Sequence, residues 1–250
     1  MRLTLLGTGN AAGVPLYGCQ CPRCIVTASQ PDKQRKPACA VIEFKNTTFL
    51  IDAGLMNISE RYPAGSLNGI FLTHFHPDHV QGLFHLRWGM GNRIPVYCPP
   101  DSSGCADLFK NPGLLDFHTQ KKFVPFTIDT VQITPLPLIH SKVTFGYLFE
   151  HQHQRIAYLT DTKGLPPQTL SFLEQKPLDL LVIDTCYPAG VDGYGHNNLD
   201  DAQMIHQQLN VRKTVLTHIG HDLDVWLSDP VNTLAESIIA GHDDMLAWPD

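Results

Sequence analysis

The stretch Thr73-His74-Phe75-His76-Pro77-Asp78-His79 holds four potential metal ligands within six residues. It ends the apolar run 69–73, whose length and composition predict a strand, and an apolar helical segment follows it at Val80. Alternate residues of an extended chain point to the same side, so His74 and His76 can bind one ion. The turn that follows can direct Asp78 and His79 toward a second ion. The stretch therefore predicts a metal centre at the end of a strand.

The pattern HxHxDH after a strand resembles the signature of the metallo-β-lactamase superfamily. Members of that superfamily complete the site with a later histidine, an aspartate that bridges two metals and a last histidine, each at the end of a strand. His140, Asp161 and His218 stand at such positions, beside the predicted strands 131–136, 155–160 and 213–217. The resemblance implies these ligands: His74, His76 and His140 for one metal, Asp78, His79 and His218 for the other, and Asp161 for both.

Two further residues are expected to support this centre. Asp52 follows Phe49-Leu50-Ile51 and matches a strand-end aspartate of the family. We expect it to hydrogen bond a ligating imidazole, because such a ring needs a partner for its other nitrogen. His196 stands ahead of the predicted helix 199–209, where the family has a histidine. We interpret it as the general acid and Asp161 as the residue that positions the attacking water. An exposed loop histidine is the alternative for His196.

A second candidate metal site is Cys19-Gln20-Cys21-Pro22-Arg23-Cys24, a CxCxxC pattern. The three cysteines are spaced too tightly for an ordinary disulfide framework, which favours metal binding in a reducing compartment. Three thiolates leave one corner of a tetrahedral zinc site open, and a histidine usually fills it. His221, three residues after His218, is the preferred fourth ligand of this structural zinc, ahead of His196 and His242.

The remaining pattern predicts an α/β protein. Strands are predicted at 2–6, 39–44, 47–52, 69–73, 94–98, 123–126, 131–136, 144–150, 155–160, 178–184 and 213–217. Helices are predicted at 80–88, 101–110, 166–175, 199–209 and 231–240. Hairpins around Asn46 and within 144–160 indicate mixed sheets. Together with the family resemblance, this predicts one domain over 1–250, an αββα four-layer sandwich of two mixed sheets with outer helices.

The resemblance extends to the PhnP-type phosphodiesterases of the carbon–phosphorus lyase pathway. It rests on segments such as Gly7-Thr8-Gly9, Leu86-Arg87-Trp88-Gly89, His140-Ser141-Lys142-Val143-Thr144-Phe145-Gly146-Tyr147 and Asp161-Thr162-x-Gly164-Leu165-Pro166. It implies hydrolysis of 5-phosphoribosyl 1,2-cyclic phosphate to ribose 1,5-bisphosphate in phosphonate catabolism. It also implies a homodimer, a structural zinc, and two active-site cations, commonly manganese with zinc as the alternative. Arg87 and Lys142 are candidates to contact substrate phosphates; a solvated side chain is the alternative for each.

Composition restricts the partners. The formal net charge is −6, and the 18 Lys and Arg residues are scattered, so no basic run predicts binding to a nucleic-acid backbone. No stretch approaches the roughly 18 apolar residues of a membrane span. Residues 1–7 are typical of a first strand rather than a signal peptide. We therefore expect a cytoplasmic enzyme that acts on a small phosphodiester.

Other activities are compatible with the same ligands. A tRNA 3′-processing endonuclease has the same metal site but generally carries a Gly- and Lys/Arg-rich arm, and no comparable insertion is present in the sequence. A thioester or lactam hydrolase would direct the attacking water to a carbonyl carbon. An inactive metal-binding module is the alternative from outside the enzymes. The sequence leaves the metal open, because such a site accepts zinc, manganese, iron or cobalt.

Overall fold

The computed structural model describes residues 1–248. The strands are β1 Arg2–Gly7, β2 Cys39–Phe44, β3 Thr47–Ile51, β4 Gly69–Phe71, β5 Ile94–Cys98, β6 Leu115–Thr119, β7 Phe126–Ile128, β8 Val131–Pro137, β9 Phe145–His151, β10 Gln154–Leu159, β11 Leu180–Asp184, β12 Lys213–Thr217, β13 Ile238–Ala240 and β14 Met245–Trp248. The α-helices are α1 Pro22–Ala28, α2 Ile58–Arg61, α3 Pro77–Leu86, α4 Ala106–Lys110, α5 Pro167–Leu173, α6 Leu199–Gln208 and α7 His221–Ser228. A 3₁₀ turn covers Pro31–Lys33.

The strands form two seven-stranded sheets, ordered β14-β1-β2-β3-β4-β5-β6 and β7-β8-β9-β10-β11-β12-β13. Taken in these orders, each sheet begins with three antiparallel pairings and ends with three parallel ones. Both sheets are therefore mixed and share one arrangement. The parallel half of each sheet places the carboxyl ends of neighbouring strands along one edge, where side chains from different strands can meet.

Three apolar layers hold the sandwich together. Between the sheets, Phe49 and Phe71 of the first sheet belong to the same buried cluster as Tyr147 and Tyr158 of the second. A second cluster buries the face of α3 against the outside of the first sheet, and a third buries α5, α6 and α7 against the outside of the second. Layers of helix, sheet, sheet and helix result, which confirms the predicted α/β fold class.

Strand β11 illustrates how the sequence specifies this architecture. All five of its residues are buried, which requires cover on both faces and matches its continuous apolar run. The hairpin around Asn46 is also confirmed, with Phe44 opposite Thr47 and Lys45 in the left-handed region at φ 53°.

The prediction of a helix at 231–240 is wrong. Residues 238–240 form strand β13, which pairs in parallel with β12 at the edge of the second sheet. Ile238 and Ile239 are β-branched and suit a pleated surface, and Pro230 interrupts the preceding segment. The helix in this region lies earlier, at α7. Strands β6 and β14 and helix α1 are absent from the predicted elements, and the strand predicted at 123–126 lies at Phe126–Ile128.

None of the helices within residues 1–248 is both long and apolar enough to cross a membrane. The single domain expected over 1–250 stays a prediction, and its last two residues lie outside the described range.

Candidate metal centre

The seven residues predicted as metal ligands come together at one end of the sandwich. His74 and His76 come from the connection between β4 and α3, and Asp78 and His79 come from the first turn of α3. The second sheet contributes His140, Asp161 and His218 after β8, β10 and β12. Antiparallel pairing through β9 gives β8 the same direction as β10, so all three carboxyl ends reach the same edge. The centre therefore lies on the seam between the sheets.

One cluster consists of three histidines and an aspartate. His76 Nδ1 lies 2.9 Å from His74 Nε2 and 3.0 Å from His140 Nε2. The Asp161 Oδ2 atom lies 3.7 Å from the Nε2 atoms of both His74 and His140. All four ligand atoms lie within 4.8 Å of one another. Three imidazole nitrogens and one carboxylate oxygen directed at a common point are a suitable donor set for a divalent cation.

The second cluster shares Asp161. Its Oδ2 atom lies 3.4 Å from the Nε2 atoms of both His79 and His218, and Asp78 Oδ2 lies 3.3 Å and 3.6 Å from those same nitrogens. Within residues 1–248, neither Nε2 atom has a hydrogen-bond partner although both are buried. An orphaned buried polar atom is costly, and a cation among these four side chains would satisfy both nitrogens. The residues thus fit a second divalent ion, with one Asp161 oxygen facing both clusters.

Asp52 orients a histidine of each cluster. His79 Nδ1 donates to Asp52 Oδ2 at 2.7 Å, which leaves the lone pair of His79 Nε2 for a metal. Thr73 Oγ1 donates to the Asp52 carboxylate and lies 3.0 Å from His74 Nδ1, from which it can accept a hydrogen bond. The buried Asp52 carboxylate therefore contacts one ligand directly and a second through Thr73.

The backbone is unusual at two of these strand ends. Asp52 and His218 both adopt left-handed conformations, with φ 60° and 55°. Residues other than glycine rarely do so, and such geometry persists where the surroundings enforce it. Beside Asp52, Gly82 allows α3 to approach closely, because a Cβ at Gly82 would overlap the carbonyl oxygen of Leu55. The close packing of α3 at this point keeps His79 against Asp52.

The electrostatics of the centre favour added positive charge. Burial lowers the pKa of His74, His76 and His140, so these imidazoles are neutral and can offer lone pairs. Burial opposes ionisation of Asp161, but His218 and His79 outweigh it and hold the pKa of this carboxyl well below its usual range. The second cluster thus has two ionised carboxylates, Asp78 and Asp161, that a cation would neutralise.

His196 lies beside the centre and is held by a residue that the sequence predictions missed. His196 Nδ1 donates to Asp184 Oδ2 at 2.8 Å, and the His196 ring stacks on His218 with centroids 4.7 Å apart. Asp184 ends the buried strand β11 and is itself fully buried. The sequence does contain a signal for Asp184: like Asp52, it is an acidic residue at the end of an apolar run. His196, Asp161, His140 and Ser141 line a cavity of about 180 Å³ at the centre.

The structure places His221 with the three clustered cysteines. His221 Nε2 lies 3.5 Å from Cys19 Sγ and 3.4 Å from Cys21 Sγ, and all four ligand atoms, including that of Cys24, lie within 4.8 Å. Hydrogen bonds from the Cys24 backbone and His221 lower the pKa of the Cys21 thiol to about 6. Within residues 1–248, His221 is the histidine whose ligand atom joins these three sulfurs, and neither His196 nor His242 belongs to the group. Three sulfurs and one imidazole fit tetrahedral zinc.

Arg87 and Lys142 differ in their positions. The Arg87 guanidinium is buried, donates to Asp107 and lies over the rings of Phe84 and Trp88, so the structure does not bring it to the centre. Lys142 lies two residues after His140, with its Nζ 3.8 Å from Asp101 Oδ2.

Comparison with known proteins gives consistent similarities. Residues 47–219 match the model of the Beta-lactamase superfamily domain. Among solved structures, a diphosphatase from the PhnP family is 27% identical with a TM-score of 0.80, and the match covers 98% of this chain and 96% of that one.

Two curated relatives are longer proteins. An octanoyltransferase of Porphyromonas gingivalis is 27% identical over 263 residues, which cover 100% of this chain and 52% of the relative. A ribonuclease Z of Methanocaldococcus jannaschii is 26% identical over 186 residues, which cover 70% of this chain and 48% of the relative. This chain therefore spans about half the length of these two relatives.

Proposed function

This chain belongs to the beta-lactamase superfamily, and on that basis we propose that it is a phosphodiesterase that depends on two divalent cations. The observation that carries the proposal is the position of Asp161 Oδ2, which lies 3.4 to 3.7 Å from four imidazole nitrogens of two clusters. Similarity over 98% of the chain to a diphosphatase of the PhnP family supports phosphorus rather than carbon as the electrophile. We propose 5-phosphoribosyl 1,2-cyclic phosphate as the substrate and ribose 1,5-bisphosphate as the product.

When bound, two such cations lower the pKa of a water molecule to about 7 and neutralise charge on the phosphate oxygens. The ionised Asp161 carboxylate lies between the two ligand clusters, where it can accept a hydrogen bond from the attacking water and orient it toward phosphorus. Asp52 and Thr73 keep His79 and His74 in the tautomers whose lone pairs point inward.

His196 is placed to protonate the leaving oxygen. Because its Nδ1 donates to the buried Asp184 carboxylate, Nε2 is the nitrogen that can deliver a proton. Thr162 N also donates to Asp184 Oδ2 at 2.9 Å, which fixes the carboxylate relative to Asp161 one residue away. Asp161, which orients the attacking water, is therefore next in the chain to Thr162, which holds the aspartate partner of His196.

The similarity to ribonuclease Z supports a second candidate, an endonuclease that acts at the 3′ ends of tRNA precursors. The formal charge of −6 weighs against it, because nucleic-acid binding depends on neutralising backbone phosphates with Lys and Arg. A homodimer, a cytoplasmic location and a place in phosphonate catabolism remain predictions.

One experiment separates these activities. The purified protein is assayed with and without added manganese on the ribosyl cyclic phosphate, bis(p-nitrophenyl) phosphate and a tRNA precursor, beside elemental analysis for metals. Turnover of the cyclic ester that depends on metal supports the proposal. Preferential cleavage of the tRNA precursor favours the second candidate, and no turnover of any phosphodiester by the metal-loaded protein refutes both.

A further inference from the structure

A second and larger cavity lies beside the loop that carries His140. It has a volume of about 680 Å³, compared with about 180 Å³ for the cavity at the metal centre. Three lysines line it: Lys121 and Lys122 from the connection between β6 and β7, and Lys142 from the connection between β8 and β9. We call this space the lysine cavity.

Residues of the loop 138–144 line both cavities. Its ends are joined by a hydrogen bond from Leu138 N to Thr144 O at 3.0 Å. His140 and Ser141 line the metal centre, whereas Leu138, Lys142 and Val143 line the lysine cavity. Two residues of even fully extended chain span only about 7 Å, so the walls of the two cavities are immediate neighbours.

The charges in the lysine cavity all have one sign. Its three charged lining residues are lysines, although the chain as a whole has a net charge of −6. Within residues 1–248, Lys121 and Lys122 form no ion pair. Lys142 faces Asp101, but the Asp101 carboxylate also accepts hydrogen bonds from Ser103 N, Ser103 Oγ and Gly104 N. Asp101 therefore offsets part of the charge of Lys142, and Lys121 and Lys122 supply the remaining positive charge of the cavity.

We propose that the lysine cavity binds a second phosphoryl group of the substrate, one that is not cleaved. This proposal rests on the proposed phosphodiesterase function and assigns the residues that would hold the 5-phosphate of the proposed substrate. Ammonium groups bind phosphate through charge-assisted hydrogen bonds. The apolar side chains of Leu138, Val143 and Phe145 give the carbon skeleton between the two phosphoryl groups a surface to pack against.

The test compares two substrates and two variants. The substrates are the ribosyl 1,2-cyclic phosphate with and without its 5-phosphate. The variants are Lys121→Gln/Lys122→Gln and, as a control with the same change of charge, Lys110→Gln/Lys176→Gln on exposed surface elsewhere. We expect the ratio of kcat/KM between the two substrates to fall roughly tenfold or more in the first variant, since bonds to charged groups are lost, and to keep its wild-type value in the control.

If the ratio of kcat/KM between the two substrates is the same in wild type and in Lys121→Gln/Lys122→Gln, the lysine cavity is not a subsite. In that case, turnover of bis(p-nitrophenyl) phosphate would still support the proposed phosphodiesterase function. If no phosphodiester is cleaved, the proposed function fails. Calorimetric binding of ribose 5-phosphate then tests separately whether the lysine cavity binds a phosphoryl group. Binding that weakens in the first variant and persists in the control supports the subsite. Equal affinities, or no binding to wild type, overturn it.

Discussion

Asp52 and His79 are joined by a 2.7 Å hydrogen bond between two side chains that are both fully buried. Loss of an outer partner of a ligating histidine typically weakens metal binding 10- to 100-fold. We expect about this loss for Asp52→Asn, because an asparagine amide can present an N–H to His79 Nδ1 and disturb the tautomer. Metal affinity measured by competition with a chelator checks it, with the exposed Asp32→Asn as control. Wild-type affinity in Asp52→Asn would contradict the assigned role.

Asp161→Asn should abolish turnover and leave the fold intact. The substitution keeps the size of the side chain but removes the negative charge that faces both clusters. Steady-state rates at saturating metal measure the loss of turnover, and circular dichroism checks that the fold is retained. Wild-type turnover in this variant would refute a bridging role for Asp161.

Cys21→Ser should lower zinc content and thermal stability more than it lowers the rate of the protein that remains folded. Cys21 joins the loop before α1 to His221 at the start of α7, far along the chain, and a structural zinc would connect these segments. Elemental analysis and thermal unfolding provide the readouts, with Cys105→Ser as a control outside the cluster. An unchanged zinc stoichiometry in Cys21→Ser would contradict the assignment of a structural zinc to this cluster.

His196→Ala should slow substrates with poor leaving groups about 10²- to 10⁴-fold and should slow p-nitrophenyl esters much less. A p-nitrophenolate leaves without a proton, whereas an alkoxide needs one. The ratio of kcat values for an alkyl and a p-nitrophenyl diester is the measurement. The same loss on both esters would exclude His196 as the general acid.

Acid should weaken the contribution of Asp224 to stability. Burial opposes its ionisation, but Arg23 and Arg35, at 2.5 and 2.6 Å, lower the pKa of this carboxyl below its ordinary value. The stabilisation is therefore fully present above the unfolded pKa of about 3.9 and is lost as the pH falls through the lower folded value.

Asp224→Asn leaves two arginines beside a neutral group and should cost about 3–5 kcal/mol near pH 7. Thermal or urea unfolding of both proteins as a function of pH measures this difference, which should shrink as the pH falls below about 4. A difference that stays constant down to the acid transition would contradict the assignment.

The metal centre was predictable where its ligands are close in sequence. His74, His76, Asp78 and His79 form one recognisable motif, and the family resemblance added His140, Asp161 and His218 by their positions beside strands. The structure brings all seven together. Asp184 was missed because a single strand-end aspartate has many possible roles, and its contact with His196 depends on how the loop after β11 returns to the sheet edge.

The lysine cavity could not be predicted for a similar reason. Lys121, Lys122 and Lys142 look scattered in the sequence, and pairing of β7, β8 and β9 brings their two loops together. The helix prediction at 231–240 failed because the spacing of apolar residues alone does not distinguish a short edge strand from a helix. The sequence also does not reveal Asp107 as the partner of Arg87, which the structure holds away from the centre.

The seam between the two sheets has a consequence for how the protein matures. Of the seven ligands, those of the HxHxDH segment are synthesised first and His218 is synthesised last. A nascent chain can expose the HxHxDH segment, but the complete centre exists only after the second sheet has docked on the first. Full cation loading is therefore a late event in biogenesis, and it distinguishes finished molecules from partly assembled ones.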